Sequence, residues 1–201
     1  MSLPDAILGT LRAVLPAAPF TPLHEPEFRG HEWDYVKDCI DTGWVSSVGA
    51  YVDRFERDLA TACGTAYAVA VVNGTAALHV ALELAGVGAG DEVLCPSITF
   101  IATANAIHYC GAVPHFVDIE EASLGLDPQA LKRHLEQIAE QTAGGWRNRL
   151  TGRRLAAVVP VHVFGHPVRM AELQAVAARF GLPVIEDSTE AIGSRYRGRL
   201  V

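Results

Sequence analysis

The sequence predicts an α/β fold, a mostly parallel sheet with helices on both faces. Three observations carry that expectation. Short, nearly all-apolar runs recur at Tyr67 to Val72, Glu92 to Cys95, Val113 to Val117, Leu155 to Val161 and Pro183 to Ile185, and runs of this texture mark strands buried on both faces. Segments with helical apolar spacing alternate with them. Glycine, proline, aspartate or asparagine separates each helix from its strand. Such alternation is the signature of helices layered on a parallel sheet.

Taken in order, residues 1–29 read as an N-terminal arm. Pro4, Pro16, Pro19, Pro22 and Pro26 crowd it and its helical period is weak. Residues 30–201 read as one partial large domain. Helical spacing begins with Trp33, Val36, Lys37 and Ile40, and returns at Val52, Phe55, Leu59 and Ala62 with Gly64 as a stop signal. The apolar run Tyr67 to Val72 then reads as the first buried strand. Helices are predicted over Thr75 to Leu84, Ala102 to Tyr109, Pro128 to Glu140 and Met170 to Phe180, between the later strands. The arginines Arg147, Arg149, Arg153 and Arg154 read as a solvated loop.

Half of the 201 residues are hydrophobic and 19% are charged, the composition of a globular chain. With 23 acidic and 16 basic residues the net charge is −7, and no basic stripe invites nucleic acid. Cys39, Cys63, Cys95 and Cys110 are widely spaced, with no CxxC pair to suggest zinc or a disulfide framework. No window reaches the roughly 18 apolar residues of a membrane helix, and no signal-like N-terminus is present. A cytoplasmic address is the expectation.

In open sheets of this kind ligands sit beyond the carboxyl ends of the strands, so the residues after each apolar run are where chemistry is sought. Asn73-Gly74-Thr75-Ala76 passes through glycine into a helix, and free N–H groups at a helix start favour an anion such as a phosphate. Thr75 also fits a plain helix cap. Phe100, after Cys95-Pro96, is either a stacking partner for a flat heteroaromatic ring or ordinary core. Glu186-Asp187-Ser188-Thr189-Glu190 follows the last apolar run. A carboxylate there can pair with a pyridinium nitrogen and keep it protonated. A magnesium site would need a second acidic cluster, which the chain lacks. His162, at the end of another run, fits a contact to ligand and a structural joint equally well.

The order and spacing of these motifs resemble the DegT/StrS family of sugar aminotransferases. The resemblance runs from about Phe28 to Val201, through Gly43-Trp44-Val45-Ser46-Ser47-Val48-Gly49, Asn73-Gly74-Thr75-Ala76-Ala77-Leu78, Thr99-Phe100-Ile101-Ala102, Val161-His162-Val163-Phe164-Gly165-His166-Pro167 and Glu186-Asp187-Ser188-Thr189-Glu190-Ala191. It implies the type I fold of pyridoxal phosphate (PLP) dependent aminotransferases, the large domain cut before the small one. It implies PLP as cofactor, with Gly74, Thr75 and Ala76 on its phosphate, Phe100 stacked on its ring and Asp187 on the pyridine nitrogen. Glu190, where many members carry glutamine, falls beside the ring hydroxyl, and Ser188 replaces the commoner alanine against the ring face. Trp44, Ser46, Ser47 and His162 are the substrate-side candidates. A homodimer, a nucleotide-linked keto-sugar and an amino donor such as glutamate are the implied partners.

Trp44 to Ser47 together with Gly144-Gly145-Trp146 and Thr151-Gly152-Arg153-Arg154 resemble the branch acting on UDP-linked 4-keto-6-deoxy amino sugars, in legionaminic-acid-type pathways. The family's Schiff-base lysine is expected beyond Val201, so no catalytic residue is assigned within the chain and the fragment alone is expected to be inactive. Lys37 and Lys132 lie on predicted helices away from strand ends. A Rossmann dinucleotide binder is disfavoured because no GxGxxG follows a strand. A PLP-dependent sugar dehydratase with histidine in place of the lysine, and a non-catalytic subunit of the same fold, share the visible motifs.

Overall fold

The computed structural model describes residues 2–22 and 25–201. Of the arm expected over 1–29, Met1, Leu23 and His24 lie outside the described residues. The chain divides into two compact units, Met1–Tyr51 and Val52–Val201.

The first unit holds α1 (Leu3–Val14) and α2 (Glu32–Thr42), and α3 (Ala50–Cys63) begins in it. A helix forms in the arm, where the sequence showed only a weak period, because its start is well capped. Ser2 Oγ accepts the Asp5 N–H while the Asp5 carboxylate accepts the Ser2 N–H, and Pro4 occupies the first turn, where a missing N–H costs little. None of the residues of α1, α2 or α3 is buried. The left-handed Gly43 (φ 76) ends α2, a conformation glycine adopts without a Cβ penalty.

In the second unit β1 (Glu92–Pro96) lies between β2 (Val113–Val117) and a later strand, β5 (Leu155–Val158), all parallel. The run Pro183 to Ile185 joins as a fourth parallel neighbour. Val158 N–H donates to Pro183 O at 3.0 Å, Ile185 N–H to Val158 O at 2.9 Å and Asp187 N–H to Pro160 O at 2.9 Å.

Alternation along the strands feeds two cores. Leu94 and Val158 pack with Leu131 and Leu135 of α6 (Pro128–Ile138) and Leu173 and Val176 of α7 (Met170–Arg179). Val93, Cys95, Ala157 and Val159 pack on the opposite face with Leu78 and Leu82 of α4 (Gly74–Leu84) and Ala106 and Ile107 of α5 (Ile101–Tyr109). Each fully buried aliphatic side chain contributes ~1.5–3 kcal/mol, so both faces of the sheet are held.

Three sequence expectations need correction. Tyr67 to Val72 is not a buried strand: Tyr67, Val69 and Val72 are 86%, 76% and 88% exposed, and no described strand supplies the run with a ladder. A strand needs a hydrogen-bonded neighbour as well as an apolar sequence, and here the Ala70 N–H is instead taken by the Glu56 carboxylate at 2.8 Å. Leu155 to Val161, in contrast, is buried throughout.

The helix expected to Glu140 stops at Ile138, because Ala139 turns into β3 (Ala139–Thr142), which pairs antiparallel with β4 (Gly145–Asn148). The arginine cluster is solvated at Arg147, Arg149 and Arg153, which are exposed, but it is tied down rather than a free loop. Arg154 pairs with Asp91 and donates to Gly86 O at 2.6 Å, and Arg149 donates to Ala139 O at 3.2 Å. Asn148 and Thr151 both donate to the buried Glu92, at 2.8 and 2.6 Å. A last small hairpin joins β6 (Arg195–Tyr196) and β7 (Arg199–Leu200).

Candidate active site

The carboxyl ends of β1, of β5 and of the Pro183 to Ile185 run all point to one end of the sheet, and a cavity of about 490 Å³ opens there. Gly74 and Thr75 at the start of α4 line it, with Phe100, Phe164, Asp187 and Glu190. Three strand ends and the start of α4 therefore converge there, as parallel topology requires.

At the α4 start, Asn73 rather than Thr75 is the cap, its side chain accepting the Ala76 N–H at 2.9 Å. This follows from position, since the cap is the residue before the first helical one. The Gly74 and Thr75 N–H groups have no hydrogen bond among the described residues, and they stand at the positive end of the helix. Of the three residues expected at a phosphate, Gly74 and Thr75 thus offer free donors on the cavity wall, whereas the N–H of Ala76 is already engaged. A Cβ on Gly74 would stand 3.4 Å from Thr189 Oγ1, so the α4 start packs directly against the 187–190 loop.

Asp187 is 6% exposed and its carboxylate is held by three donors. Thr103 Oγ1 donates to Oδ2 at 3.0 Å, and Thr189 donates to Oδ1 through its hydroxyl at 2.7 Å and its N–H at 3.2 Å. Thr99 Oγ1 stands 2.8 Å from Thr103 Oγ1, so a chain of two hydroxyls ends on the acid. Sequence reasoning missed both threonines. The Thr99 and Thr103 spacing of four residues at the start of a helix, which puts them on one face, was the available signal.

Phe100 precedes α5 and is 69% exposed, so it is a surface ring on the cavity and not core. The Glu190 carboxylate accepts the Phe164 N–H at 2.7 Å beside the cavity. Ser188 is half-buried and its carbonyl accepts the Ala191 N–H at 2.9 Å.

His162 is fully buried. Its Nδ1 accepts the Val168 N–H at 3.0 Å, which leaves the proton on Nε2 to donate to Glu186 at 2.8 Å. With both nitrogens occupied, its placement is that of a joint between β5 and the following loop. Trp44, Ser46 and Ser47 lie exposed in the loop between Gly43 and Gly49 of the first unit. Lys37 is paired with Asp41 on α2, and Lys132 lies on α6. Among the described residues no cluster of histidine, cysteine and acidic side chains is arranged to hold a metal.

Residues 26–201 match the DegT/DnrJ/EryC1/StrS aminotransferase family. The chain is 42% identical to GDP-perosamine synthase of Caulobacter vibrioides over 174 residues, which cover 87% of this chain and 43% of that protein. Among solved structures it is similar to 3-amino-5-hydroxybenzoic acid synthase, with a TM-score of 0.75 at 33% identity, covering 92% of this chain and 44% of that one. It is also similar to NtdA of Bacillus subtilis with bound cofactor PMP, with a TM-score of 0.68 at 30% identity, covering 80% and 33%. The chain spans less than half the length of these relatives. The α/β sheet flanked by helices is that of the type I aminotransferases. The chain belongs to the DegT/DnrJ/EryC1/StrS aminotransferase family, whose members are pyridoxal phosphate-dependent.

Proposed function

We propose that the full-length protein is a PLP-dependent aminotransferase that moves an amino group, from a donor such as glutamate, to a nucleotide-linked keto-sugar, in amino-sugar or surface-glycan synthesis. The observation that carries this is the Asp187 carboxylate, held by Thr103 and Thr189 in the lining of a cavity that also offers two free helix N–H groups, of Gly74 and Thr75. PLP, when bound, supplies an electron sink for proton removal beside the transferred nitrogen.

The residues present fit that group. Gly74 and Thr75 would donate to its phosphate, Phe100 would stack on the ring, Asp187 would hold the pyridine nitrogen protonated and Glu190 would stand beside the ring hydroxyl. Ser188 would occupy the small position against the ring, and Ala76 would support the phosphate turn through its bond to Asn73. Trp44, Ser46 and Ser47 are proposed on the substrate side, with His162 acting through the loop it anchors. The Schiff-base lysine is proposed to come from sequence beyond Val201, since neither Lys37 nor Lys132 lines the cavity. The chain by itself is then inactive.

We propose a homodimer and a cytoplasmic address, as the family resemblance implies. No helix among the described residues is long and apolar enough to cross a membrane. Residues 144–154, which together with Trp44 to Ser47 carry the resemblance to the UDP-linked branch, dock on Asp91 and Glu92 at the amino end of β1. That is the end of the sheet opposite the cavity, so they do not report on the nucleotide, and the named GDP-perosamine synthase supports a nucleotide-sugar only in general. Incubating full-length protein with PLP, glutamate and a set of nucleotide-linked keto-sugars, and following 2-oxoglutarate, tests the proposal. No product with any of them refutes it.

A further inference from the structure

The loop after β5 carries two successive residues with left-handed backbone, Phe164 (φ 53, ψ 28) and Gly165 (φ 79). Glycine takes that conformation freely, but a phenylalanine is strained there and stays only where its surroundings over-determine it. Two bonds to the 188–194 loop do so. The Phe164 N–H donates to Glu190 Oε2 at 2.7 Å, and Ser194 Oγ donates to Gly165 O at 2.8 Å. The two loops are close enough that a Cβ on Gly165 would lie 3.3 Å from the Glu190 carbonyl oxygen.

That arrangement sets the backbone from which one ring projects. Val161 and Val163 beside it are buried, whereas Phe164 is 72% exposed although it lines the cavity. Burial does not hold the ring; the backbone sets the direction in which it leaves the loop. The cavity thus carries two water-exposed aromatic rings on different loops, Phe100 after β1 and Phe164 after β5. One flat cofactor ring accounts for Phe100 and leaves Phe164 without a ligand. Polar-edged pockets commonly use such exposed apolar surface to orient what they bind.

We propose that Phe164 is the substrate-side platform of the site, on which the apolar C–H face of the sugar ring packs, with Glu190 and Ser194 as positioning residues that hold it there. This rests on the function proposed above. The arrangement selects for a sugar over the amino donor, because a short amino acid has no such face to offer.

The test uses the full-length holoenzyme. Phe164→Ala should raise KM for the nucleotide-linked keto-sugar about 10-fold, which is ~1.4 kcal/mol, while KM for glutamate and the visible absorption of the bound cofactor stay as in wild type. Phe164→Tyr should restore the sugar KM, and Ser194→Ala should raise it by a smaller factor. An unchanged sugar KM in Phe164→Ala overturns the proposal. So does a parallel rise for both substrates or a loss of cofactor, which would put the ring on the cofactor. An enzyme that consumes glutamate but accepts no nucleotide-linked keto-sugar fails the function itself, and is recognised by the wild type alone.

Discussion

Replacing Thr103 by valine keeps the shape of a side chain that is 1% exposed and removes only its hydroxyl. Two contacts go with it: the 3.0 Å bond to Asp187 Oδ2 and the 2.8 Å contact with Thr99. Thr99 is half-buried and lies 3.3 Å from the Phe100 carbonyl, so it finds another partner. The bond to the acid has no replacement, because Asp187 is buried and its other donors, both from Thr189, sit on Oδ1. A hydrogen bond to a charged group is worth ~1.5–3 kcal/mol. If the low end of that range appears as lost orientation of the carboxylate, PLP affinity falls about tenfold. Titration of full-length apoprotein with PLP, followed by absorbance, measures it. Thr103→Ser keeps the hydroxyl and should stay near wild type, which separates the lost bond from the lost packing. A Thr103→Val protein that binds PLP within twofold of wild type would show that the hydroxyl chain does not set the acid.

Glu92→Gln should reduce stability most at neutral pH and make the acid limb of the stability profile shallower, as read by thermal melts across pH. Burial pushes the Glu92 carboxyl up, yet the bonds from Thr151, Asn148 and His115 outweigh it and leave it below its ordinary 4.5. Burial, with His115 adding to it, also holds His134 below 6.5. Both groups bind protons more weakly folded than unfolded, so wild-type stability is full above these ordinary values. It falls as pH drops, first near 6.5 through His134 and then below 4.5 through Glu92. A flat wild-type profile from pH 7 to about pH 4 would contradict this. Asn73→Ala should cost ~1 kcal/mol of stability through the lost cap and weaken PLP binding by freeing the α4 start to fray; an unaltered melting temperature would count against it. Burial pushes the Cys95 thiol up to about 12, so mass spectrometry after iodoacetamide at pH 8 should find the exposed Cys63 alkylated and Cys95 untouched; modification of native Cys95 would contradict its placement.

Much of the fold was legible because periodicity is local. Val93, Leu94 and Cys95 face alternate cores within a single run, and helix starts such as Asp127-Pro128 announce themselves by a capping acid before a proline. Tyr67 to Val72 was misread because its texture says what a strand is made of and nothing about which neighbour completes it. The β3–β4 hairpin escaped because Glu140, Gln141 and Thr142 carry no apolar alternation, and what holds the segment is donors aimed at Glu92, more than 50 residues earlier. In the site, Phe100, Asp187 and Glu190 are readable as residues that follow apolar strand runs, and Gly74 as the glycine that opens a helix. The Thr103 bond to Asp187 spans 84 residues of sequence and leaves no local mark. Left-handed backbone at Phe164 has no signature in composition, so the sequence does not single that residue out.

The central claim is that Asp187 is the cofactor's partner, and the most direct measurement is a PLP titration of full-length wild-type and Asp187→Ala apoprotein, read by visible absorption. Wild type should bind and develop the band of protein-bound cofactor, and Asp187→Ala should bind far more weakly and fail to develop it. The same affinity and the same band in both proteins would contradict the account.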